Sequence, residues 1–123
     1  MLECGVDLVE IARIEQAVAR LGERFLNRIY TEREREYCRG RAPQLAARFA
    51  AKEATAKILG TGLWRQGVSW HQIEVVNDLE GKPHLNLSGE AAKRAEKLGL
   101  SEWSISISHS RGDAIAFVVA MGN

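Results

Sequence analysis

The apolar positions change rhythm halfway along the chain. Ile11, Ile14, Val18 and Leu21 recur at helical spacing, which predicts a helix over residues 9–21 stopped by Gly22. Residues 1–7 read as a short strand running into a turn ahead of it, and residues 24–30 fit a further short helical piece. Thr31 and Glu34 stand at capping-box spacing, so the next helix starts near Glu32 and ends near Gly40, before Pro43. Residues 44–59, rich in alanine and closed by Gly60, give the strongest helix signal. Beyond that point the pattern turns to strands. Residues 73–77 and 84–87 flank turn residues at 78–81. Ser88 caps a helix that Gly99 closes. Residues 104–108 alternate Ser and Ile, and a long apolar strand over 114–121 follows an Arg111-Gly112-Asp113 turn. Helices early and antiparallel strands late predict an α+β fold, a long helix packed on a small antiparallel sheet.

A chain of 123 residues suffices for one domain over 1–123 with a modest core. No apolar run approaches the roughly 20 residues that span a bilayer. The first residues carry an acid and lack a basic region before an apolar stretch, so they do not read as a secretory signal. A cytoplasmic location is expected. Cys4 and Cys38 are then free thiols, since two isolated cysteines make neither a disulfide framework nor a zinc site. The net charge of +1 offers nothing to nucleic acid. Residues 13–48 nevertheless hold nine arginines against five glutamates. One basic segment on a near-neutral chain suits a local acidic partner or an anionic ligand.

Candidate chemistry starts on the alanine-rich helix. At about 100° per residue, Leu45, Phe49 and Ala56 point one way, with Glu53 about 40° from Phe49 and Lys57 about 40° further on. The stripe expected to face the core therefore contains a carboxylate, which is costly without a partner. An i,i+4 pair between Glu53 and Lys57 is the bland account. Asp7 falls where the first strand is expected to end, and serves either as a helix cap or as a metal ligand. Gly60-Thr61-Gly62 admits a helix stop and loop, or a close ligand approach. Gly81-Lys82-Pro83 is a turn with one exposed cation. His109 shares the side of its strand with Ile105 and Ile107, where a lone histidine is usually structural. His71 and His84 read as surface residues.

Taken together, Gly5-x-Asp7-x-x-Glu10-Ile11, the block Arg48-Phe49-Ala50-Ala51-Lys52-Glu53-Ala54 with Lys57, Gly60-Thr61-Gly62, Asn77-Asp78 with Gly81-Lys82-Pro83, and Ser106-Ile107-Ser108-His109-Ser110 resemble holo-acyl-carrier-protein synthase. This is the short bacterial branch of the 4′-phosphopantetheinyl transferases. The resemblance covers nearly the whole chain in order, and the Arg48 block is its most specific part. It implies transfer of 4′-phosphopantetheine from coenzyme A to a serine of apo acyl carrier protein, in support of fatty acid synthesis. Asp7 and Glu53 would be the Mg²⁺ carboxylates and Lys57 the lysine near the transferred phosphate. Arg48, Gly60, Thr61, Gly62, Lys82, Pro83, His109 and Ser110 would line the coenzyme A site. Arg13, Arg20, Arg24 and Phe25 would meet the carrier protein, and the assembly would be a homotrimer with sites at subunit interfaces. Two positions depart from the family pattern: Glu3, where glycine is frequent, and Trp64, where smaller residues are common. A catalytically silent carrier-binding module and a Mg²⁺-dependent pyrophosphate hydrolase are the rival readings.

Overall fold

The computed structural model describes residues 1–63 and 67–122. Among these residues, five strands and five helices follow in the order β1 (Leu2–Glu10), α1 (Ile11–Leu21), α2 (Glu23–Ile29), α3 (Glu32–Cys38), α4 (Ala42–Leu59), β2 (Ile73–Asn77), β3 (Pro83–Leu87), α5 (Gly89–Lys97), β4 (Glu102–His109) and β5 (Asp113–Met121), with a 3₁₀ turn at Trp70–Gln72 before β2. β1, β5 and β4 form one antiparallel sheet with β5 in the middle, and β2 and β3 form a separate hairpin. The expected α+β architecture, a long helix on a small antiparallel sheet, is the one observed.

α4 packs against β1 and β5. Its buried alanines (Ala46, Ala47, Ala50, Ala51 and Ala54) meet a strand whose inward residues are Ala114, Ala116, Val118 and Ala120. Small side chains on both surfaces let helix and sheet approach closely. Gly5 carries this furthest. A Cβ there would lie far inside contact with the Ala54 carbonyl oxygen, a backbone atom that cannot turn aside.

Two boundaries differ from expectation for tertiary reasons. β1 runs to Glu10 because β5 pairs with it along its whole length, Glu10 facing Asp113. Asp7 therefore lies inside a strand and caps no helix. α4 begins at Ala42 and takes Pro43 into its first turn, where the missing N–H has no helical partner to lose. The expected stripe on α4 is also revised. This helix is buried on most sides, and Phe49, Glu53 and Lys57 form its most accessible strip.

The charge that enters the core is on Lys52. Its Nζ lies 2.7 Å from Glu34 Oε1, both side chains at 0 % exposure, and donates to the carbonyls of Trp70 (2.9 Å) and Ile73 (2.7 Å). Glu34 also accepts the Thr31 N–H, completing the expected capping box, and the Val75 N–H. Burial pushes the Lys52 pKa down and Glu34 opposes this. One satisfied pair thus ties α3, α4 and β2 together. Cys38 is buried and Cys4 exposed, both free. The Arg111-Gly112-Asp113 segment is a turn, with Ser110 N–H donating to Asp113 O and Gly112 O accepting from Ile11. Among the described residues no helix is long and apolar enough to cross a membrane.

Candidate active site

Side chains alternate along β1, so Gly5, Asp7 and Val9 share the face toward α4, while Val6 and Leu8 point away. The close approach at Gly5 brings Asp7 to the helix one turn beyond Ala54. There Lys57 Nζ donates to Asp7 Oδ1 at 3.0 Å and to the Val6 carbonyl at 2.9 Å. The ion pair of Lys57 is thus with Asp7 across the strand, in place of the i,i+4 pair with Glu53. Glu53 sits one turn earlier and half-buried. Burial, and next the charge of Asp7, raise its pKa, while Lys57 pulls it down.

Asp7 and Glu53 line one cavity of about 340 Å³ with Arg13, Phe25, Phe49 and Leu8. Two of the residues expected to meet a carrier protein, Arg13 and Phe25, therefore stand beside the carboxylates. Arg20 and Arg24 are exposed and outside this lining. Gly22 adopts φ 56°, ψ −129° and breaks the helix, so Arg24 belongs to α2, apart from Arg13 and Arg20 on α1.

The donor set fits a hard divalent cation. It offers two carboxylates, and the Glu53 pKa is raised first by burial and then by the charge of Asp7, both of which a bound cation would offset. No cluster of three or more His, Cys, Asp or Glu ligands occurs among the described residues. Two carboxylates suffice for a divalent cation that keeps several waters and takes substrate phosphates as further ligands.

A second cavity, about 220 Å³, is lined by Tyr37, Arg48, Asn77, Gly81, Pro83 and His109 among others. Arg48 is buried. Its Nη2 donates to Asn77 Oδ1 at 2.8 Å, its guanidinium lies 4.5 Å from the centre of the Tyr37 ring, and its buried Nε has no partner among the described residues. An aromatic face and an amide oxygen hold the fork in place. Lys82 and Ser110 are exposed neighbours of Pro83 and His109. Gly60-Thr61-Gly62 lies at the other end of α4, with both glycines at positive φ and Thr61 Oγ1 donating to Gly62 O. Arg48 and Gly60 are separated by about 18 Å of helix. The residues expected around coenzyme A thus fall into two groups within one chain. Trp64 lies outside the described residues.

Tyr37 and Asn77 were not assigned roles from sequence. Asn77 belongs to the Asn77-Asp78 pair that precedes Gly81-Lys82-Pro83, whereas nothing in the spacing ties Tyr37, on α3, to Arg48 on α4.

The sequence profile of the 4′-phosphopantetheinyl transferase superfamily matches residues 3–118. The chain is 57% identical over 127 residues to a holo-[acyl-carrier-protein] synthase of Herpetosiphon aurantiacus, covering 99% of this chain and 100% of that one. A synthase of the same name from Dehalococcoides mccartyi is 51% identical over 120 residues, covering 98% of each. The crystal structure of the Helicobacter pylori holo-[acyl-carrier-protein] synthase in complex with coenzyme A is 34% identical and superposes with a TM-score of 0.87, covering 97% of this chain and 100% of that one. The chain belongs to the 4′-phosphopantetheinyl transferase superfamily and, within it, to the holo-[acyl-carrier-protein] synthases.

Proposed function

We propose that this single-domain chain transfers 4′-phosphopantetheine from coenzyme A to a serine hydroxyl of apo acyl carrier protein, releasing 3′,5′-adenosine bisphosphate. The observation that carries this reading is the convergence of Asp7, Glu53 and Lys57 at one place on β1 and α4, beside a cavity lined by Arg13, Phe25 and Phe49. The serine oxygen bonds to the phosphorus next to the pantetheine arm, and the bond from that phosphorus to the bridging oxygen breaks. The leaving bisphosphate takes the electron pair, and the serine proton passes to a base.

Asp7 and Glu53 would hold Mg²⁺, which would supply Lewis-acid neutralisation of phosphate charge when bound. Lys57 brings a fixed positive charge to the developing negative charge. Arg48, Lys82, Pro83, His109 and Ser110 receive the nucleotide end, and Gly60-Thr61-Gly62 approaches the donor from the far end of α4. Arg13, Arg20, Arg24 and Phe25 present an arginine-rich, partly apolar surface to an acidic carrier. Guanidinium suits carboxylates, and such contacts speed encounter and fix orientation.

The Arg48 groove and the Gly60-Thr61-Gly62 loop lie at opposite ends of α4, and one donor molecule would span the groove of one copy and the carboxylates and glycine loop of its neighbour. The assembly is a homotrimer joined through the outer face of the three-stranded sheet. Its setting is cytoplasmic fatty acid synthesis.

The decisive experiment mixes the protein with apo carrier protein, coenzyme A and Mg²⁺, followed by mass spectrometry of the carrier. The carrier gains one phosphopantetheine, and chelation of the metal abolishes the gain. An unmodified carrier with intact coenzyme A supports a silent binding module. Cleaved coenzyme A with an unmodified carrier supports a hydrolase.

A further inference from the structure

The turn between β2 and β3 projects into solvent. Residues 78–82 are all exposed, and Leu79 at the tip packs against nothing. No core contact imposes its shape, yet Gly81 and Pro83 form part of the wall of the Arg48 groove. One carboxylate ties the turn together alongside its backbone hydrogen bonds. Asp78 Oδ1 accepts the N–H groups of Glu80 and Lys82, each at 2.9 Å. Asp78 Oδ2 lies 2.9 Å from His84 Nε2 on the opposing strand. The Asp78 backbone closes the same loop, its N–H donating to Lys82 O and its carbonyl accepting from Gly81. The hydrogen bond from His84, then that from the Lys82 N–H, hold the Asp78 pKa below the usual carboxylate range.

A continuous set of bonds then runs from this turn to the groove. Asn77 Nδ2 donates to Gly81 O at 3.0 Å, and Asn77 Oδ1 accepts from Arg48 Nη2 at 2.8 Å. Each end of the Asn77 amide is thereby committed, and its orientation depends on where Gly81 stands. A shift of Gly81 would move the Arg48 partner and the groove wall together.

We infer that Asp78 is a positioning residue for the nucleotide end of the donor: it fixes the 78–82 turn, and through Gly81 and Asn77 the direction of the Arg48 guanidinium. The inference rests on the assignment of this groove to coenzyme A. It predicts a defect confined to one substrate, because the turn lies away from the Asp7–Glu53 cavity.

The test compares wild type, Asp78→Ala, Asp78→Asn and Arg48→Ala. Two readouts are used: steady-state kinetics with each substrate varied, and calorimetric binding of 3′,5′-adenosine bisphosphate. Misplacing binding groups by about 1 Å can cost up to 10²-fold, so Asp78→Ala should raise the KM for coenzyme A by about tenfold and weaken nucleotide binding in parallel. The rate at saturating coenzyme A, the KM for carrier protein and the melting temperature stay near wild type. Asp78→Asn restores most of the affinity, since its amide oxygen still accepts the Glu80 and Lys82 N–H groups. Wild-type nucleotide affinity in Asp78→Ala, alongside a loss in Arg48→Ala, overturns this inference alone. So does a rise in both KM values with a lowered melting temperature, which marks general destabilisation. If wild type itself binds no nucleotide, the groove assignment and this inference fall together.

Discussion

Asp7 and Glu53 show how a residue's chemistry can be visible in sequence while its setting is not. Glu53 was recognisable as an acid within an apolar stripe, and Asp7 as either a helix cap or a metal ligand. Their meeting depends on Gly5, whose missing side chain lets β1 rest on the Ala54 carbonyl, and a glycine in a strand does not say which backbone it approaches. The cost of the site falls on Glu53, first through its burial and then through the charge of Asp7. Its raised pKa means that the folded chain holds the proton more tightly than the unfolded chain does. Ionisation therefore costs folding free energy as pH rises from the ordinary glutamate range through the raised value. In chelator at neutral pH, Glu53→Gln should melt above wild type, and the gap should close as pH falls below the ordinary glutamate range. Added Mg²⁺ should raise the wild-type melting temperature and leave the variant unmoved, while transfer falls by about 10²-fold or more. A variant that melts below wild type in chelator would show Glu53 to be a structural partner. Thermal denaturation across pH, with and without metal, supplies the comparison.

At the level of elements, α4 places two lysines five residues apart in opposite settings. The helix itself was plain from its alanines and Gly60. Which lysine is buried was not, because a helix enclosed on most sides lacks the single apolar stripe that a helical wheel detects. Thr31 and Glu34 were legible as a capping box, but the second role of Glu34 as counter-ion to Lys52 is a long-range fact that local spacing cannot carry. The two lysines should therefore respond differently to loss of charge. Lys52→Met leaves Glu34 buried and unpaired, which should cost about 3–5 kcal/mol in denaturant unfolding. Lys57→Met breaks a pair whose lysine is 56% exposed and whose aspartate is 19% exposed, so it should cost about 1 kcal/mol or less. Activity should reverse that ranking. Lys57→Met loses transfer while folded, and Lys52→Met retains transfer in whatever fraction remains native. Equal stability losses for the two variants would remove the distinction between a structural and a chemical lysine on this helix.

For the molecule as a whole, the informative feature is which face of the sheet is large. β5 was readable as a long apolar strand, but continuous apolarity hides the division of its two faces. Its small residues turn inward to α4, while Ile115, Phe117 and Met121 remain exposed. The register sets Leu2 beside Met121, Val6 beside Phe117 and Leu8 beside Ile115, so the exposed side chains of β1 and β5 form one continuous apolar surface. Patches of this kind mark contact sites, and a chain of this size gains much from covering one. The residues proposed to line the donor site stand at two ends of α4, and the proposed trimer would set those of a second copy alongside. Phe117 tests both needs at once, since it points away from α4 and lines neither cavity. Light scattering should give three chains per particle for wild type and one for Phe117→Asp. The monomeric variant should keep its far-ultraviolet circular dichroism and lose transfer, because each chain then offers only half of the donor site. Full transfer by a monomeric variant, or a monomeric wild type with full activity, would place the whole donor site within one chain and leave the apolar face without a role in catalysis.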